Sequence, residues 1–240
     1  MIALKALLYF NILLLCHGQN TLNISNQNIT DPIDEYIERP CEIFDKFCIR
    51  QFLAQHSKCK PVDGPVPDPL YRDKTTGYAP HANVTFIPIA VTVSGLNGRI
   101  EEFYINRKTD RLLLAVEFTN LYAASPYAYL RYHRRAQEPL VYNDFGSINF
   151  TSLVLTITIP NLKDLQLERS EVFAYSPGIP VIILGGRFTA QGVEPEVVRA
   201  VADIFANFPI TVRELMLNDN PFYIGSYIQY NLCDFGLKLI

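Results

Sequence analysis

The chain has 240 residues, with 21 basic against 24 acidic side chains, a formal net charge of −3, and 49 % hydrophobic and 12 % aromatic residues. That balance excludes an intrinsically disordered chain, and it excludes a general nucleic-acid binder, which would carry a basic stripe. It leaves room for one domain, or two small ones, with a sizeable apolar core.

The N-terminus reads as a targeting segment. Lys5 makes it weakly positive, Ala6 to Leu15 is apolar apart from Asn11, and Cys16 and Gly18 supply small residues at the −3 and −1 positions of a cleavage site. The apolar run falls well short of the roughly 20 residues a membrane-spanning helix needs. A buried N-terminal helix is the competing reading. No later stretch is apolar for long enough to span a bilayer, so no membrane association is expected. Residues 1–18 are therefore read as a signal peptide and the product as secreted, with a mature start near Gln19. Loss of Lys5 takes the net charge to −4. Residues 19–38, rich in Asn, Ser, Thr and Gln without an apolar period, read as a flexible leader. Residues 39–240 read as a single domain.

Cys16 leaves with the signal, and Cys41, Cys48, Cys59 and Cys233 remain. An even number in an oxidising route reads as disulfides, with three pairings possible. Cys41–Cys48 together with Cys59–Cys233 is favoured. The first closes a local loop, and the second ties the start of the domain to its end. Chain entropy makes the long loop worth about 4–5 kcal/mol and the short one roughly 2–3 kcal/mol. A zinc site is the rival reading, but no C-x2-C spacing occurs, and no metal or cofactor is expected. Asn-X-Ser/Thr sequons stand at Asn23, Asn28, Asn83 and Asn149, and behind a signal peptide they are expected glycan acceptors.

The first periodic segment follows Cys41. Phe44, Phe47, Cys48, Gln51, Phe52 and Leu53 fall on one helical face, with Asp45 as N-cap. Seven residues of regular helix rise about 10.5 Å, and disulfide Cα atoms must lie within roughly 7 Å. If Cys41 and Cys48 pair, Cys41 must sit in a turn folded back before the helix. Pro61 to Pro69 holds four prolines in nine residues and reads as an extended connector.

From Val84 the pattern is β. Val84–Val93 carries alternating apolar residues, with Pro88 pointing to an edge or a bulge. Gly95-Leu-Asn-Gly98 is a turn with positive φ at a glycine or the asparagine. Ile100–Ile105, Leu112–Phe118, Tyr127–Tyr132, Ser152–Ile159 and Val181–Leu184 read as further strands. Asn106–Asp110, Asn143-Asp144 and Ser176-Pro-Gly178 read as turns between them. Strands joined without helical patterns predict an antiparallel sheet. A helix is expected from Pro195 to Phe208, with Val197, Val198, Val201, Ile204 and Phe205 on its apolar face and Pro209 as its stop. Thr211–Leu217 is a second short helix ended by Asn218 to Pro221, and the tail from Phe222 is aromatic and apolar.

Catalytic signatures are missing from the sequence. His56, His81 and His133 are scattered, and no H-E-x-x-H, G-x-S-x-G, P-loop or G-x-G-x-x-G occurs. Glu101 and Glu102 are adjacent, so on a strand they face opposite ways. Arg131 to Arg135 is the densest basic patch, either a docking surface for an acidic partner or a solvated strand end. Thr151–Ile159 is uncharged, β-branched and proline-free, an aggregation hazard at a sheet edge. A glycan on Asn149, just before it, would hinder edge pairing, and Asn83 stands in the same relation to Val84–Val93.

Arg39-Pro-Cys41, Cys48-Ile-Arg50, His56 to Cys59, Gly64-Pro-Val-Pro-Asp-Pro-Leu70, Gly95 to Gly98, Phe103-Tyr-Ile-Asn106 and Cys233-Asp-Phe-Gly236 together resemble the fibrohexamerins. These are the small glycoproteins of moth and butterfly silk fibroin, and the likeness spans roughly Arg39 to the end. It implies a silk-gland lumen protein that associates non-covalently with the disulfide-linked fibroin heavy and light chains and assists their assembly and secretion. The sugars implied for that role fall on Asn83 and Asn149, and the four mature cysteines become internal bridges. A broader likeness is to the takeout and juvenile-hormone-binding proteins. Their Cys-x6-Cys pair matches Cys41 and Cys48, and their Asp-Pro-Leu segment matches Asp68 to Leu70. It implies a curved antiparallel sheet wrapped on a long C-terminal helix, with an apolar ligand inside. Pro209 and Pro221 are expected to break that helix, which puts a ligand tunnel in doubt.

The resulting expectation is an α+β fold, a twisted antiparallel sheet packed on one or two C-terminal helices with a stapled N-terminal region. It is not an enzyme. Its work is done through a protein–protein surface with Tyr and Phe anchors. The alternative is a secreted carrier of a lipophilic small molecule.

Overall fold

The computed structural model describes residues 36–238. The signal segment, most of the leader and the Asn23 and Asn28 sequons lie outside them. In chain order the elements are β1 (Ile37–Glu38), α1 (Lys46–His56), β2 (Lys60–Pro61), β3 (Leu70–Lys74), β4 (Gly77–Ala79), β5 (Val84–Ser94), β6 (Arg99–Asn106), β7 (Arg111–Arg134), β8 (Gln137–Pro160), β9 (Glu171–Tyr175), β10 (Val181–Leu184), α2 (Pro195–Ala206), α3 (Phe208–Asn231) and β11 (Cys233–Asp234). The last residues of the stretch read as leader, Ile37 and Glu38, pair with Asn106 and Ile105.

Every strand pair is antiparallel, and the β7–β8 hairpin is the spine. Along β7 lie β6 and then β5, with β1 outside β6 and β3 and β4 outside β5. Along the far side of β8 lie β10 and then β9. β2 and β11 form a separate small ribbon.

The sequence divides β7 into two strands, whereas the structure makes it one strand of 24 residues. The stretch between Phe118 and Tyr127, left outside the strands by the sequence, continues the strand to a bulge at Ser125-Pro126, where the register steps from Ser125↔Gly146 to Ala128↔Asp144. Proline is tolerated there because a bulge does not need its missing N–H. The buried Ser125 hydroxyl fills the gap in the ladder, donating to the Ile89 carbonyl (2.7 Å) and accepting from the Ile89 N–H (3.0 Å). Asn143-Asp144, read as a turn, lies inside β8. Its carboxylate accepts the Phe145 and Arg187 amides, both at 2.9 Å, and so does the work expected of a loop residue while in a strand.

β5 is also not an edge. It is flanked by β7 on one side and by β3 and β4 on the other, and it bulges at Ala90 with φ 54°. Pro88 faces the gap between the Lys74↔Ile89 and Gly77↔Phe86 pairs. The uncharged Thr151–Ile159 stretch lies between β7 and β9, not at an edge.

The largest correction concerns α3. Pro221 was expected to end a helix, yet α3 runs through it for 24 residues, and Pro209 sits in its first turn. An interior proline costs a helix roughly 3 kcal/mol. Burial outweighs this, because every residue from Phe222 to Gln229 is buried. α3 packs against both β4 and β9, so the sheet curls round it. One large core joins α1, the lower sheet and the end of α3, through Ile49, Leu53, Phe103, Phe118 and Tyr227. A smaller core joins α2 to the upper sheet through Val84, Leu130, Phe188, Val197 and Ile204.

Asp45 caps α1 by accepting the Cys48 N–H at 2.9 Å. Cys41 is bonded to Cys48 and Cys59 to Cys233, with Cα separations of 5.7 and 5.5 Å. The connector is held extended by Asn97, whose amide exchanges two hydrogen bonds with the Val66 backbone (2.8 and 3.0 Å). Gly95 takes φ 87°, and a Cβ there would strike the Asn120 backbone.

Candidate functional site

One hydroxyl–imidazole–carboxylate chain exists among the described residues. His81 Nδ1 lies 2.6 Å from Glu214 Oε2, and His81 Nε2 lies 3.1 Å from Thr211 Oγ1. The connectivity resembles a nucleophile–base–orienter relay. Its hydroxyl, however, donates to the Ile204 carbonyl (3.0 Å) and is fully buried, out of reach of any substrate. The cluster works as a bolt between the turn after β4 and the first turns of α3. The Arg131–Arg135 patch lies at the tip of the β7–β8 hairpin. There Arg134 caps the Glu138 carbonyl with two donors, and His133 bonds Thr85 at 2.7 Å.

An apolar cavity of about 140 Å³ lies where the sheet bends, lined by Ala123, Ser125, Ala128, Gly146 and Ile148 among others. Small side chains meet the bulge there, and the two cores separate around it. Ligand sites for drug-sized molecules run from about 300 Å³ upward, so this space suits a group of benzene size. A wider groove of about 640 Å³ runs beside the connector, but its lining mixes Asp63, Asp234 and Lys238 with Tyr71 and Phe222. Neither space is a long apolar tunnel.

The outer face of β9 and β10 differs from the rest of the surface. Phe173, Tyr175, Ile179, Val181 and Ile183 are between 53 and 75 % exposed, with Phe145 beside them. Alternation puts Val172 and Leu184 inward, where they pack on the cores, with Ile182 lining the cavity, and turns these side chains outward. Exposed apolar side chains are ordinary one by one, whereas a contiguous set marks an interaction site. Sequence reading found Val181–Leu184 as a strand but missed β9. The signal was its Val-Phe-Ala-Tyr run, too short to separate from a loop.

The sequons fall at two kinds of place. Asn83 is exposed in left-handed conformation (φ 52°), with its Oδ1 accepting from Tyr78 Oη at 3.4 Å. Asn149 lies inside β8, opposite Tyr122 and Val181, so it stands on the outer face and not at an edge. Its Oδ1 is buried without a partner.

Residues 37–237 match the Fibroin P25 family. The chain belongs to that family. Fibrohexamerin of Galleria mellonella is 24 % identical over 204 residues, which cover 84 % of this chain and 90 % of that protein. The crystal structure of Epiphyas postvittana Takeout 1 superposes with a TM-score of 0.50 at 12 % identity, over 80 % of this chain and 94 % of that one. That likeness concerns the fold, a curled antiparallel sheet on a long helix. Fibroin P25 members are silk components, and this chain is one by membership.

Asp144 provides a pH test of the site's framework. The Arg187 and Phe145 amides hold its carboxyl below the usual carboxylate range. A lowered folded pKa contributes stability above the unfolded value and loses it as pH falls through the folded one. Acidification below about pH 4 should therefore loosen residues 185–188. Faster hydrogen exchange of the Arg187 amide, matched at neutral pH by Asp144→Ala, would show it; equal protection at both pH values would refute it.

Proposed function

We propose that this chain is a secreted silk glycoprotein that associates non-covalently with the fibroin heavy and light chains and assists their assembly and secretion. Family membership across residues 37–237 carries this reading. The apolar outer face of β9 and β10 supports it, since protein contacts are built on exposed aromatic and aliphatic anchors. Co-expression with the heavy and light chains tests it. Co-purification that survives reducing agent and is lost in denaturant is expected; separate elution would contradict it.

Glycans on Asn83 and Asn149 belong to the same reading. Asn149 would raise its sugar from the outer face one strand in from β10, and so shield apolar surface among β-forming neighbours. Changing both sites to glutamine is expected to lower soluble secreted yield roughly several-fold, as loss of colloidal protection does. Unaltered yield would end that part of the account.

The second reading, a carrier of a lipophilic molecule, rests on the curled fold and the apolar cavity. A space of about 140 Å³ accepts only a small apolar group. Organic extraction of the purified protein, with mass analysis of the extract, decides whether anything is held there.

A further inference from the structure

Asn83 stands on the wall of a further cleft, about 290 Å³ in volume, between the turn after β4 and one face of α2. Its floor is made of two small buried residues, Ala82 and Ala200, and a larger side chain at either position would fill it. Glu196, Arg199 and Asp203 line it from α2, at the i, i+3 and i+7 spacing of a single helical face. Arg199 and Asp203 are four residues apart, a spacing that permits an ion pair. Among the described residues, however, none of these three side chains has a hydrogen-bond or ion-pair partner, and Asp203 contributes only its backbone carbonyl, to Asn207. Tyr132, half-buried against the upper core, supplies an aromatic wall. The ring nitrogens of His81, which also lines the cleft, are taken by Glu214 and Thr211. Asn83 itself is held in place. Its N–H donates to the Pro80 carbonyl at 3.2 Å, and its Oδ1 accepts from Tyr78 at 3.4 Å. Its Nδ2, the atom that carries sugar in a glycosylated sequon, has no partner among the described residues.

We infer that this cleft is a built-in seat for the first sugars of a glycan on Asn83, which thereby ties α2 to the turn before β5. The inference rests on the glycoprotein reading above and says where the Asn83 sugar lies. The occupant follows from three features. An Asn83-linked sugar begins on the wall of the cleft, so the tether gives it a high effective concentration there without any free ligand. A neutral polyhydroxyl ring brings donors and acceptors together, and so serves two carboxylates and a guanidinium at once. A free anion would meet Glu196 and Asp203, and a free cation would meet Arg199. The apolar C–H face of a sugar also suits the Tyr132 ring, which offers apolar area at little entropic cost. The volume falls just under the drug-sized range that begins at about 300 Å³, and suits the base of a glycan and not its branches. The consequence is structural. α2 carries Val197, Val201 and Ile204 of the upper core, so a sugar seated against its other face clamps that core.

The test uses the full chain secreted from a eukaryotic host, with peptide mass mapping to report whether Asn83 carries sugar. Arg199→Ala with Asp203→Ala removes exposed polar groups from the wall, so the fold is left intact. Asn83→Gly removes the sugar, and glycine takes the left-handed backbone without strain. An N-glycosidase acting on the native protein should release the Asn83 glycan about tenfold more slowly from wild type than from the wall variant, the scale of one or two net hydrogen bonds to the sugar. Hydrogen exchange of the α2 amides gives a second reading. The wall variant and Asn83→Gly should each speed it by a similar factor, and their combination should be no faster than either alone, because both remove the same contact. Equal release rates from an occupied Asn83, or exchange effects that add, overturn the seat and place the sugar in solvent. A secreted protein with Asn83 bare removes instead the glycoprotein reading at this site, and the inference with it; the mass map tells the two failures apart.

Discussion

Replacing Cys59 and Cys233 by alanine should lower stability by about 5 kcal/mol, the chain-entropy value for the sequence separation of 174 that this bond closes. The Cys41–Cys48 bond closes a separation of 7, and its removal should cost roughly 2–3 kcal/mol. The asymmetry has a structural counterpart. Cys59–Cys233 joins the end of α1 and the connector to the end of α3, beside the β2–β11 ribbon. Without it, the helix at the centre of the sheet loses its covalent anchor to the N-terminal region. A domain of this size holds about 5–15 kcal/mol in all, so the long-loop variant should lose at least about a third of its stability. Denaturant midpoints of the two double variants measure the difference. Equal losses would mean that the unfolded chain is already compact across this span.

Phe118→Ala should cost about 4 kcal/mol, in the range for a fully buried phenylalanine. Phe118 projects from β7 with no exposure and meets the Tyr227 ring edge-on, centroids 5.9 Å apart. It is the direct contact between the spine of the sheet and the buried half of α3. Phe173→Ala, on the outer face of β9, removes the same side chain from an exposed site and should change stability by no more than about 0.5 kcal/mol. Thermal unfolding of the pair separates core from surface. A small loss at Phe118 would show that the sheet does not close on α3 as described.

Much of the fold is legible in the residues, and the failures share causes. The α1 N-cap, the Gly95 turn, the start of α2 at Pro195 and the antiparallel character of the sheet all follow from local chemistry. The long strands do not, because Ser125-Pro126 and Asn143-Asp144 look like punctuation when read alone. A bulge and a side-chain hydrogen bond absorb both, and only the neighbouring strands reveal it. The end of α3 fails for a different reason. A helix buried on all sides has no polar face, so Phe222 to Gln229 show no helical period, and Pro221 just before them looks like a terminator. Legibility of the candidate site is mixed. The absence of charge from Val172 to Gly186 can be seen in the sequence, but that this stretch supplies the last strands beside β8, while Thr151–Ile159 lies between β7 and β9, depends on strand order. Local sequence does not encode that order.

The account turns on association with silk chains through a protein surface. Native mass measurement of the protein from silk-gland lumen, with and without denaturant, tests it most directly. The account predicts a large assembly containing fibroin heavy and light chains that releases this chain as a monomer in denaturant without reduction. A free monomer as the only species under native conditions would contradict it.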